Sequence, residues 1–269
     1  MEEMKIAYQG IEGSYTSEAA RAFFGPDAYL LPCETFEDVF GAVTGGKCAS
    51  GIVPVENSIT GSVVQNYDLL DAYKCFVTGE TILAVDHVLL GLPDATPDGI
   101  KKVYSHEQGL LQCAGFLDGH REWERVPYLN TAVAAKYIAG QGDKTLAAIA
   151  SRYAGERYGL SVLAEGISGN PNNSTRFFAV SAQKGAGEGN KASLLFTVRH
   201  EKGSLARALV LLSDLNLTRI ESRPSPYTNW EYRFYVDLEG DLARLSAILA
   251  GLSAYCTTVR LLGIYQSAR

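Results

Sequence analysis

Four short polar segments hold the side chains most suited to chemistry, and two of them suit the binding of a carboxylate. The run NNSTRFFAV, residues 172–180, places amides, hydroxyls and an arginine at the start of an apolar strand. Arg176 can hold a carboxylate through two parallel N–H donors, Thr175 adds a hydroxyl, and Asn173 adds amide donors. Strand alternation sends Thr175 and Phe177 to one face, and Arg176 and Phe178 to the other. Thr175 and Arg176 therefore share a pocket only if the strand bends where it begins. The run VPVENSITGSV, residues 53–63, ends an apolar strand in Glu56, Asn57 and Ser58. Ligands of open α/β sheets bind at such carboxyl ends, although a turn capped by Asn57 explains the same residues.

The run GIEGSYTSEAA, residues 10–20, sets Gly10 and Gly13 around a strand-to-helix turn that closes on Ser14 and Thr16. Its free backbone N–H groups suit a carboxylate, and an ordinary helix cap accounts for Ser14 equally. In YSHEQGLLQC, residues 104–113, Ser105 and Gln108 fit a capping box. Gln112 follows one helical turn after Gln108, on the same face. His106 reads as a solvated residue of the first turn.

The elements that must position these residues alternate between strand and helix over the first two-thirds of the chain. KIAYQG, AYLLPC and SGIVPVEN read as strands, separated by the helices YTSEAARAFF and FEDVFGAV and followed by SVVQNYDLLDAY. This order predicts βαβ units and a mostly parallel sheet. The aliphatic stretch ETILAVDHVLLGL crosses into a second lobe, and STRFFAVSA returns from it. Two α/β lobes joined by extended crossings form a hinged fold of the periplasmic-binding-protein kind, with the ligand in the cleft. The expected catalytic region is 1–182, with one lobe over about 1–78 and 174–182 and the other over about 79–173. A glycine-rich linker follows at 183–190. Residues 191–269 then read strand–helix–strand–strand–helix–strand, a ferredoxin-like unit.

Composition narrows the function further. The 269 residues carry a net charge of −6 and no basic run, which argues against a nucleic-acid partner. The start, MEEMKIAYQG, has no signal-peptide pattern, and no apolar run approaches a membrane span. The five cysteines form no CxxC pair, so reduced thiols in the cytoplasm are expected. The four histidines lack HxxxH or HExxH spacing, and no metal is expected.

Taken together, YQGIEGSYTSEAA, PVENSITG, SHEQGLLQC, NTAVAAKYIA, AAIASRYAGERYGL and NNSTRFF resemble prephenate dehydratase over essentially the whole chain. The C-terminal unit resembles an ACT regulatory domain, with GSLARAL at 203–209 and ESRP at 221–224. The resemblance implies loss of water and carbon dioxide from prephenate to give phenylpyruvate, without a cofactor. It implies Thr175 as donor to the departing oxygen, and Asn57, Ser105 and Gln112 as groups that orient the leaving group and carboxylates. Arg176 would face a carboxylate, Ser14, Ser58 and Asn173 would line the substrate, and Glu56 would orient neighbouring donors.

The same resemblance implies L-phenylalanine as an effector held by Gly203, Ser204, Leu205, Glu221, Ser222, Arg223 and Pro224 between ACT domains, in a homodimer or homotetramer. It also implies a chain without the chorismate mutase domain or transit peptide that some relatives carry. Three positions depart from the family pattern: Glu107 replaces proline, Gly169 replaces aspartate, and Ser204 replaces alanine. Arogenate dehydratase, acting on the amino analogue, is the alternative enzyme. A non-catalytic amino-acid sensor is the alternative outside catalysis.

Overall fold

The computed structural model describes residues 4–225 and 231–268. The first lobe runs β1 (Lys5–Gln9), α1 (Tyr15–Phe24), β2 (Tyr29–Cys33), α2 (Phe36–Thr44), β3 (Ser50–Asn57), β4 (Gly61–Ser62), α3 (Val64–Ala72) and β5 (Phe76–Ala84). The second lobe runs β6 (Val88–Gly91), β7 (Lys102–Ser105), α4 (Glu107–Gln112), α5 (Ala114–Leu117), β8 (Glu124–Pro127), α6 (Thr131–Gln141), β9 (Leu146–Ala150), α7 (Arg152–Tyr158) and β10 (Ser161–Ala164). The chain then returns as β11 (Ser174–Ser181). After it come β12 (Lys191–Val198), α8 (Ser204–Leu211), β13 (Asn216–Pro224), β14 (Tyr232–Glu239), α9 (Leu245–Leu252) and β15 (Cys256–Tyr265).

Local sequence explains where the helices start. The Ser14 side chain accepts from the Ser17 N–H at the head of α1. Thr35 and Asp38 form a reciprocal capping box at α2. Asn130 accepts from the Val133 N–H at α6, a helix that buries Ala132, Ala134, Ala135 and Ile138 against its sheet. The expected cap of α4 is displaced by one residue. His106, not Ser105, is the N-cap, and its Nδ1 accepts from the Gln108 N–H at 3.2 Å.

The first sheet has the order β2-β1-β3-β11-β5, with β4 beside β3. Its β1–β2 and β1–β3 pairs are parallel, but β11 is antiparallel to both neighbours. The sheet is therefore mixed, not mostly parallel. The cause is the crossing itself, because β11 comes back from the second lobe against the direction in which β5 left. β5 stays paired with β11 as far as Ala84, opposite Ser174, so the crossing begins at 85 and not near 79.

The second sheet is also mixed, in the order β10-β6-β9-β7-β8, and its strand β9 is buried along its whole length. A half-buried clasp joins the two lobes away from the crossings. Glu12 accepts from Arg21 Nη2 at 3.1 Å and from the Tyr153 hydroxyl of α7 at 2.6 Å. The Tyr158 hydroxyl donates to the Glu12 carbonyl.

Residues 191–265 follow the order βαββαβ and form a four-stranded antiparallel sheet, β13-β14-β12-β15. This sheet is not tethered loosely to the rest. Leu195, Tyr235, Leu262 and Tyr265 join the core cluster of the first lobe, beside Tyr67, Val77 and Phe178. Gly263 permits the closest approach, because a Cβ there would lie 2.0 Å from the Val77 carbonyl oxygen. No described helix is long and apolar enough to cross a membrane.

Candidate active site

The β3–β11 pairing places Thr175 opposite Asn57 and Arg176 opposite Glu56. Asn57 and Thr175 face the groove between the lobes. Asn57 is held at both ends of its amide. Its Oδ1 accepts from the Ile59 and Thr60 N–H groups, each at 3.0 Å, which fixes the turn between β3 and β4. Its Nδ2 then points to Asn173 Oδ1 at 2.8 Å, the Ser174 carbonyl at 3.1 Å and Thr175 Oγ1 at 3.0 Å. Thr175 Oγ1 is an acceptor in that bond, so its own proton remains for a group in the cleft. Ser58 closes the same corner, donating to the Asn172 carbonyl and accepting from the Ser174 N–H, both at 3.0 Å.

Thr175 and Asn57 line a cavity of about 360 Å³ with Tyr15, His87, His106 and Gln112. Its remaining walls include Thr16, Asn130, Thr131 and Phe177. No lysine or arginine is among the described lining residues. The starts of α1 and α6 supply Thr16 and Thr131 instead, and helix N-termini carry partial positive charge of about half a unit.

Several expected site residues lie elsewhere. Arg176 points away from the cleft, as strand alternation requires, and its side chain is only 7% exposed. It pairs with Asp237 at 2.7 Å, Glu80 at 3.2 Å and Glu56 at 3.3 Å, and it donates to the Tyr67 hydroxyl at 3.2 Å. Burial works against its charge, but Asp237, with Tyr67 and Tyr265, outweighs this and raises its pKa. Glu56 shares that face and meets Arg176 and, at 3.8 Å, Arg219.

Ser105 is fully buried below the cleft, where its hydroxyl donates to the Ile149 carbonyl at 2.7 Å. A Cβ on Gly109 would lie 2.7 Å from that hydroxyl, so glycine lets α4 pack over it. Ser14 caps α1 and is absent from the cavity wall. Asn173 and Ser58 steady Asn57 and its loop from outside the main cavity. Gly169, also expected near the site, donates its N–H to the Gln112 carbonyl at 2.8 Å.

The model of the family described as prephenate dehydratase matches residues 6–185, more than half of the chain. The chain belongs to the prephenate dehydratase family. It is 38% identical over 272 residues to a bifunctional chorismate mutase/prephenate dehydratase of Neisseria gonorrhoeae, covering 98% of this chain and 75% of that one. It is 34% identical over 284 residues to an arogenate dehydratase/prephenate dehydratase of Arabidopsis thaliana, covering 98% and 72%. Among solved structures, a prephenate dehydratase of Arthrobacter aurescens in complex with L-Phe superposes with a TM-score of 0.88 at 28% identity, covering 98% and 90%. A quorum-quenching acylase superposes with the same TM-score at 30% identity, covering 97% of both chains.

Two cleft residues of this prephenate dehydratase family member escape a reading of its motifs. His87 is 3% exposed, with Nδ1 3.0 Å from the Tyr15 hydroxyl and Nε2 2.9 Å from Gln112 Oε1. Burial lowers its pKa, while Gln112 and Asp86 oppose that shift. Burial raises the Tyr15 pKa well above its ordinary value, and Glu18 and Asp86 add to the effect. A histidine in an aliphatic crossing was the available signal for His87. Tyr15 offered none beyond its place after a capping serine.

A second cavity, of about 440 Å³, opens at the start of α8 and is lined by Gly203, Ser204 and Leu205 with His200, Tyr232 and Phe234. Ser204 Oγ is buried there without a hydrogen-bond partner among the described residues. Glu221, Ser222, Arg223 and Pro224 do not line this cavity within one chain. Alternation along β13 turns Glu221 and Arg223 toward the first lobe. Glu221 accepts from Ser62 Oγ at 2.6 Å, and Arg223 pairs with Asp68 at 2.9 Å. Ser222 and Pro224 are exposed on the outermost strand of the sheet.

Proposed function

We propose that this chain converts prephenate to phenylpyruvate, water and carbon dioxide. The observation that carries the reading is the Asn57–Thr175 contact, which leaves the Thr175 proton directed to the cleft. The ring C–O bond breaks, and the departing oxygen takes a proton through Thr175 to leave as water. The bond from ring carbon to carboxylate breaks as well, releasing carbon dioxide, and its electron pair completes the aromatic ring. Solvent returns one proton to the site in each turnover. The driving force comes from aromatisation, so the protein's work is orientation and stabilisation of the leaving oxygen.

A substrate with two carboxylates would meet a cleft whose described lining holds no guanidinium or ammonium group. The backbone N–H groups at the starts of α1 and α6, with the amides of Asn57 and Gln112, are the donors that would receive it. Gln112 orients oxygens from the second lobe, across from Thr175. The amino analogue would differ only at the side-chain carbon. The test is a side-by-side assay of purified protein with prephenate and arogenate, following phenylpyruvate and phenylalanine. Phenylpyruvate formed from prephenate is the expected result, and turnover of arogenate alone would overturn the substrate.

The C-terminal unit is an ACT-type regulatory domain in this reading, joined by residues 183–190. L-Phenylalanine would bind at Gly203, Ser204 and Leu205, in the cavity at the start of α8. The exposed outer strand, with Ser222, Pro224 and the 45% exposed Ile220, supports completion of that site by another copy. The assembly is then a dimer or a multiple of one. The five cysteines are all free, which suits the cytoplasm.

A further inference from the structure

His87 occupies the junction of three segments. It lies in the outward crossing between β5 and β6, and its backbone N–H donates to Ser168 Oγ of the return crossing at 3.2 Å. Its ring bridges Tyr15, on the first turn of α1, and Gln112, at the end of α4. One buried imidazole thus touches the first lobe, the second lobe and the strand of chain that leads back to Thr175.

The chemistry of the ring contacts is directional. Gln112 Oε1 only accepts, so the ring nitrogen facing it, Nε2, must carry a proton. Burial favours the neutral ring, which then has its lone pair on Nδ1. The Tyr15 hydroxyl has one proton for two acceptors, Nδ1 at 3.0 Å and the Asp86 carbonyl at 2.9 Å, so the Gln112 contact, and not Tyr15, is what fixes this tautomer. With Oε1 held on His87, the NH₂ of Gln112 is left for the cavity that Gln112 lines. The opposite tautomer would accept from a reversed amide, and a carbonyl oxygen would then face the cleft. An oxygen there repels both a carboxylate and a departing hydroxyl.

We propose that His87 is a positioning residue for the dehydration, its Nε2–H holding the Gln112 amide with nitrogen toward the substrate oxygens. This rests on the cleft being the prephenate site. Ser168 and Cys113 flank the arrangement as neutral groups. The Cys113 thiol is pushed up to about 12, chiefly by burial, and Ser168 opposes that shift.

Steady-state kinetics of the full chain on prephenate test the idea through the position of one nitrogen. In His87→Gln the terminal amide nitrogen takes the place of Nε2. In His87→Asn it takes the place of Nδ1 and leaves Gln112 without a donor. His87→Asn should lower kcat/KM by ~10- to 100-fold, the usual weight of a hydrogen bond to a charged group. His87→Gln should recover most of that loss, and Gln112→Ala added to His87→Asn should cost little more. Gln112→Glu, which presents an oxygen to the cleft at unchanged size, should fall as far as His87→Asn and covers the case in which that variant folds poorly. Equal rates for His87→Gln and His87→Asn, or full additivity with Gln112→Ala, would overturn the inference while wild-type turnover kept the site reading intact. A wild-type protein that left prephenate unconsumed would refute the site reading and this inference with it.

Discussion

On the cleft face of the β3–β11 pair, Asn57 and Thr175 meet as neutral hydrogen-bonding groups, while on the opposite face Glu56 and Arg176 meet as charges. Only one residue along each strand separates the two arrangements. The neutral face can be fixed in advance without stripping water from ions, and it leaves one hydroxyl proton aimed at a ligand. The charged face is buried against Asp237 of β14, with Glu80 and Lys191 beside it at 2.9 Å from each other. Buried ion pairs add little net stability, because desolvation offsets their attraction, but losing one partner leaves a bare charge behind. The cleft face should therefore govern rate, and the back face should govern stability and coupling to the C-terminal unit.

Thr175→Ala tests the cleft side most severely. Loss of a positioned proton donor should reduce kcat by ~10²–10⁴, or about 3–5 kcal/mol of barrier, with little change in thermal stability. Thr175→Ser keeps the donor and should keep appreciable turnover. Near-normal kcat in Thr175→Ala would remove the hydroxyl from the chemistry.

Arg176→Met tests the back face. It leaves Glu80 and Asp237 buried without their guanidinium, so equilibrium unfolding should show a loss of about 3–5 kcal/mol. The KM for prephenate should change less than the stability does. A large rise in KM in a protein of normal stability would return Arg176 to the substrate.

Ser62→Ala probes the smaller effect of coupling between the faces. Ser62 joins Glu221 and, at 2.8 Å, Arg219 of β13 to the strand beside the turn that holds Asn57. Phenylalanine inhibition should be sigmoidal or non-competitive, and allosteric couplings typically amount to about 1–3 kcal/mol. Ser62→Ala should weaken that inhibition several-fold with basal kcat nearly unchanged. Isothermal titration of phenylalanine alongside the kinetics separates lost coupling from lost binding, and unchanged inhibition would exclude Ser62 from the route.

These contrasts were only partly legible in the amino-acid order. Strand alternation at Thr175 and Arg176 already separated their faces, and caps such as Ser14 and Thr35 located the helices. What occupies the back of the strand pair could not be read, because Asp237 and Glu80 are remote in sequence from Arg176 and their packing is tertiary. The Ser105 hydroxyl illustrates the same limit. Its place in a motif suggested the cleft, whereas contact with the Ile149 carbonyl beneath the sheet surface decides its role. His87 remained hidden because both of its side-chain partners come from other segments.

Glu18 sharpens the comparison from the other side, since it is a partly buried charge without the pairing that Arg176 enjoys. Its Oε2 is buried and has no hydrogen-bond partner among the described residues. Burial, with a smaller contribution from Glu156 of α7, pushes its pKa up to about 7. An unfolded glutamate titrates near ~4.3, so the folded protein binds the extra proton between these values. Glu18 thus contributes stability that is fully present below about pH 4.3 and is lost as pH rises through about 7. Glu18→Gln keeps the neutral shape at every pH. Its melting temperature should exceed that of the wild type at pH 8 by about 2–4 °C, corresponding to roughly 1 kcal/mol after allowance for partial exposure, and the gap should close toward pH 4–5. A gap of the same size at both pH values would mean that the gain comes from packing and that the Glu18 carboxylate is not penalised at the seam between α1 and α7.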